Sequence, residues 1–62
     1  MLVEVNTKKY GKLAVSSIFT ENNITTFECY NELDEYLGMV HFGVNEGVCG
    51  IEVEKQLNEI RK

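Results

Sequence analysis

Lys12-Leu13-Ala14-Val15-Ser16-Ser17-Ile18-Phe19-Thr20-Glu21-Asn22-Asn23-Ile24-Thr25-Thr26-Phe27-Glu28-Cys29-Tyr30 is the stretch that decides the fold. Residues 12–20 are rich in β-branched and aromatic side chains, and Leu13, Val15, Ser17 and Phe19 fall on one side of an extended chain. Residues 24–30 repeat the pattern, with Thr25, Phe27 and Cys29 on one side. Between the two runs stands Glu21-Asn22-Asn23. Asparagine tolerates the left-handed backbone that a tight hairpin requires. Upstream, Met1, Val3 and Val5 alternate with Leu2, Glu4 and Asn6, which reads as a further strand. The polar segment 7–12, with Gly11 near its end, reads as the turn between them. Short connections favour neighbouring strands, so the three runs predict an antiparallel meander.

At Asn31 the period changes. Asn31 suits a helix N-cap, and Glu32, Asp34 and Glu35 crowd what would be the first turn, where the helix dipole favours acids. Leu33, Tyr36, Leu37 and Val40 share one helical stripe. The expectation is a short helix ended by Gly38 as a left-handed C-cap, with Met39 packing back and a strand over 39–44. The alternative is a helix continuing through Gly38 to about Phe42, with a glycine cost of about 1 kcal/mol. Residues 40–44, the turn 45–47 and residues 48–53 predict a second hairpin. Residues 52–62 hold no Gly or Pro, and Val53, Leu57 and Ile60 line one face of a C-terminal helix. The fold expected is α+β, with a small antiparallel sheet of three to five strands packed by a short helix and a C-terminal helix in two layers. Residues 1–62 form a single domain.

A chain of 62 residues buries a small core and has marginal stability, so a second copy of itself would add much. The apolar fraction of 44% excludes disorder. Two cysteines, Cys29 and Cys49, are too few for a disulfide framework, and residues 1–5 do not resemble a secretory leader. No apolar run approaches the roughly 20 residues that cross a bilayer. These features lead us to expect a cytoplasmic protein with reduced thiols and no membrane partner.

Charge is unevenly spread. The net charge is −4, yet all six bases lie in residues 1–12 or 55–62. Residues 13–54 carry eight acids and no base. Such a segment attracts basic proteins and can imitate a nucleic-acid backbone. The leading expectation is therefore a non-enzymatic module that presents Glu28, Glu32, Asp34, Glu35 and Glu46 to a basic, nucleic-acid-binding protein, with inhibition of that protein as one role it could serve. The competing expectation is an ordinary solvated face neutralised by the terminal bases. In size and acidity the chain resembles short accessory proteins of phages and mobile elements, a resemblance of composition from which no residue role follows.

The remaining chemistry is sparse. Cys29, His41 and Cys49 do not show the close spacing of a zinc knuckle, and no nucleophile elbow or phosphate-cradling glycine loop occurs. We therefore expect no catalytic residues, no metal and no cofactor. Glu32, Asp34 and Glu35 are better explained by helix capping than by acid–base work. Lys8, Lys9 and Lys12 with Tyr10 offer an alternative contact for nucleic acid, which the overall acidity opposes. A third reading, from a different class, is a self-associating structural or regulatory domain that forms a homodimer.

Overall fold

Asn22 and Asn23 both adopt left-handed backbone, with φ of 54° and 64°, and bring Glu21 opposite Ile24. Two positive φ angles in a two-residue loop match the twist of the flanking strands. Around this turn the computed structural model describes residues 2–62; Met1, which the alternation places at the head of the first strand, lies outside the described residues. The elements are β1 (Leu2–Thr7), β2 (Gly11–Glu21), β3 (Ile24–Tyr30), β4 (Tyr36–Gly43) and α1 (Gly50–Ile60). The strands form one antiparallel sheet in the order β1-β2-β3-β4. With α1 on one face, the chain is an α+β fold.

The core lies between that face and α1. Val5, Leu13, Val15, Phe27, Cys29, Val40 and Phe42 meet Val53 and Leu57 of the helix. Phe27 and Phe42 pack edge to face at 5.9 Å between centroids, the favoured geometry for aromatic quadrupoles. In β2 the register shifts between Ser17 and Phe19. Such a bulge leaves one residue unpaired. Phe19 consequently sits opposite Thr26, on the other face from Leu13 and Val15. The side on which simple alternation places it is thereby reversed.

The expected short helix over 31–37 is absent. Asn31 does cap, but it caps a loop. Its Oδ1 accepts hydrogen bonds from the Leu33 and Glu35 amides, both at 2.9 Å. Asp34 then turns left-handed, at φ 65°, so no helix propagates. Leu33, which heads the apolar stripe, is 79% exposed. Gly38 lies within β4 rather than at a C-cap. Its φ of +146° suits glycine, and a Cβ there would press on Leu57 and Ile60. The second hairpin is also absent, because residues from Gly50 onward enter α1.

Helix α1 lies between the two outer strands. At its start, Gly50 packs against the Asn6 carbonyl of β1, and an added Cβ would collide with that oxygen. One turn later, the Glu54 carboxylate accepts a hydrogen bond from the Lys8 amide at 2.7 Å. Facing β4, the Gln56 amide bonds both backbone groups of His41, accepting from N–H and donating to C=O, each at 2.8 Å. Arg61 donates to the Leu37 carbonyl. The Gln56 side chain thus makes the bonds to β4 that a further strand would make.

Two substitutions test this arrangement. Gly50→Ala should lower stability by about 2 kcal/mol, because the obstacle is backbone and cannot swing aside. Gln56→Ala should cost about 1 kcal/mol. Urea unfolding with unchanged slope checks both; a neutral Gly50→Ala would refute the close approach to Asn6.

Candidate functional site

Among the described residues, none forms a second layer on the sheet face opposite α1. Alternation along the strands places Leu2 and Glu4 of β1 there, together with Ala14, Ser16 and Phe19 of β2, Ile24, Thr26, Glu28 and Tyr30 of β3, and Tyr36, Met39 and His41 of β4. Five large apolar side chains remain open on it: Leu2 at 66%, Phe19 at 53%, Tyr36 at 49%, Met39 at 43% and Ile24 at 42%. They come from all four strands. Tyr30 and Tyr36 pair at 5.6 Å between centroids. Thr26 is buried beneath its neighbours, its hydroxyl 3.0 Å from His41 Nδ1.

Charges on this face are few. Lys12 and Glu4 form the one ion pair among the described residues, at 3.8 Å and largely exposed, so it contributes little. Glu28 accepts a long hydrogen bond from the Tyr30 hydroxyl, at 3.4 Å. Burial and then the Glu28 charge push the Tyr30 phenol above its usual pKa.

The residues singled out from the sequence scatter. Ala14, Tyr30 and Tyr36 lie side by side across the sheet, so the 8–10 turn and the 31–35 loop leave from the same end. Glu32, Asp34 and Glu35 are exposed there, with Lys8, Lys9 and Lys12 at the same end. The Arg61 bond to Leu37 brings the helix end, and its bases, to that place too. Bases that are distant in sequence therefore neighbour the acidic loop. Glu46 lies at the opposite end, where its carboxylate accepts the Gly43 amide at 2.5 Å and Val44 bonds Asn23. Glu21 shares that end. The five candidate acids do not form one patch.

Tyr10 is committed to the fold. Its ring packs against the core and its hydroxyl donates to Asn58 Oδ1 at 2.7 Å. Lys9 Nζ lies 5.6 Å from that ring's centroid. Stacking on a base would require Tyr10 to leave these partners.

Cys29 is sealed on the core face, whereas His41 stands on the opposite face, so the two cannot act together. Among the described residues no three His, Cys, Asp or Glu side chains converge as metal ligands. A groove of about 740 Å³ runs beside β1 and α1, lined by Asn6, Lys8, Ile51, Lys55 and Glu59 among others. A cleft of about 400 Å³ opens among Val3, Phe27, Phe42, Val44 and Val48. Large side chains on both sides of residues 24–30 signal an outer face in the sequence, but the bulge that moves Phe19 onto it has no residue signature. No helix is long and apolar enough to cross a membrane.

No protein-family model matches the chain, and neither a curated protein nor a solved structure is detectably similar to it.

Burial pushes the Cys29 thiol up from 9.0 to about 11, because the thiolate would be desolvated. Its protonated form is favoured in the folded chain, so stability should fall as pH rises from 9 toward 11. Thiol titration at neutral pH should label the exposed Cys49 promptly and Cys29 only after unfolding. Equal labelling rates would refute the sealed position of Cys29.

Proposed function

We propose that the chain is a non-enzymatic protein-binding module that works through the uncovered face of its sheet. The observation that carries this reading is the set Leu2, Phe19, Tyr36 and Met39, all open on a face with few charges. Exposed apolar area of this kind marks contact surfaces more often than solvated ones. A hydrogen-bonded sheet also offers a preformed surface, so little ordering is needed on binding.

A second reading draws on the Asn31-centred loop. Hydrogen bonds to Asn31 hold the loop that carries Glu32, Asp34 and Glu35, which suits a basic protein partner. The two readings differ in salt dependence. An apolar contact survives high salt, whereas a charge-led one weakens.

Affinity capture from a lysate of the source cells separates them. Met39→Lys should abolish a salt-resistant capture while leaving the circular dichroism unchanged. Loss of capture in a Glu32→Gln, Asp34→Gln, Glu35→Gln variant, with sensitivity to salt, would favour the acidic contact instead. Capture unaffected by either set of changes would overturn both readings.

A further inference from the structure

We infer that the occupant of the open sheet face is a second copy of this chain, packed face to face about a twofold axis parallel to the strands. The inference rests on the reading of that face as a contact surface.

The face is self-complementary in this arrangement. Leu2, Ser16, Glu28 and Met39 form one row across the sheet, and Glu4, Ala14, Tyr30 and Tyr36 form the next. A twofold parallel to the strands lays β1 over β4 of the second copy and β2 over its β3. Leu2 then meets Met39 of the second copy, and Ala14 meets Tyr30. In these two rows each carboxylate meets a hydroxyl donor: Glu28 faces Ser16, and Glu4 faces Tyr36. A twofold perpendicular to the strands would stack each strand on its own copy and, passing through the row of Glu28, would bring the two Glu28 side chains together, which is unfavourable. Aligned sheets cross at about −30°, and the pairs nearest the axis tolerate that rotation best.

Size and charge agree with this occupant. The molecule measures 30 × 22 × 16 Å. Its broad face offers on the order of 600 Å² per copy, so a pair buries about 1,200 Å², the lower limit for a stable specific interface. The acids and the base of the face are few and Lys12 already pairs with Glu4, so its field selects neither a strongly basic nor a strongly acidic partner. A chain this short also gains stability from a second copy.

Sedimentation equilibrium over increasing concentration tests the inference. The chain should dimerise, and Met39→Glu should raise the dissociation constant roughly tenfold or more. Ile51→Glu, on the far side of the molecule, should leave it unchanged. Circular dichroism confirms that each variant is folded. In a Cys49→Ser background, chains with Leu2→Cys mixed with chains carrying Met39→Cys should cross-link on oxidation; self-linking by Met39→Cys chains alone would overturn the parallel axis. A monomer at every concentration, with capture still abolished by Met39→Lys, would overturn the second copy and leave the contact surface standing. A monomer without face-dependent capture would overturn both. A dimer weakened by Ile51→Glu and not by Met39→Glu would place the interface elsewhere and overturn the inference.

Discussion

The pairing of the Gln56 amide with both backbone groups of His41 sets where everything else can lie. A primary amide carries an acceptor oxygen and two N–H donors; Gln56 gives its oxygen and one N–H to His41, matching a peptide unit, and its second N–H to Glu52. Gln56 therefore satisfies an outer strand as a neighbouring strand would. Gly50 makes the matching approach on the other side, against Asn6. With α1 bound to both β1 and β4, Val53 and Leu57 are aimed into the sheet and fully buried. A four-stranded sheet with one helix is thereby closed along part of each edge, which limits the open surface to the far face.

Much of the architecture is legible in the residues. The three-strand meander, its asparagine turn and the C-terminal helix follow from period and turn chemistry, and they match the structure within a residue or two. The segment from Asn31 to Val53 is not legible in the same way. Leu33, Tyr36, Leu37 and Val40 have helical spacing, yet Leu37 is the extra residue where β4 shifts register against Cys29 and Tyr30. A bulge inserted in an alternating strand imitates a helical stripe over a few positions. Val48 to Val53 reads as strand by composition, but the contact of Gly50 with Asn6 starts the helix there. That contact is tertiary and has no local signal.

Charge shows the same limit from another side. Segregation along the chain is plain in the sequence, and it suggested a continuous acidic surface. The meander folds the two basic ends back beside the 31–35 loop, since the 8–10 turn and that loop leave the sheet at one end. Glu46 is carried to the other end and engaged by Gly43. Separation in sequence thus became proximity in space for the acids Glu32, Asp34 and Glu35, and isolation for Glu46. The open face, which carries the functional reading, was legible only as mixed strand faces.

The bulge between Ser17 and Phe19 makes both faces of this sheet depend on one irregularity of pairing. Everything in β2 beyond it is shifted by one residue relative to its start. Were β2 to pair residue for residue with β3, Phe19 would turn to the inner face, crowd a filled core and strip an aromatic ring from the outer one. Most substitutions at exposed positions of a small domain are mild. A change that irons out the bulge would instead alter the interior and the surface together, whereas deleting the unpaired Ile18 would leave Phe19 opposite Thr26 on the outer face.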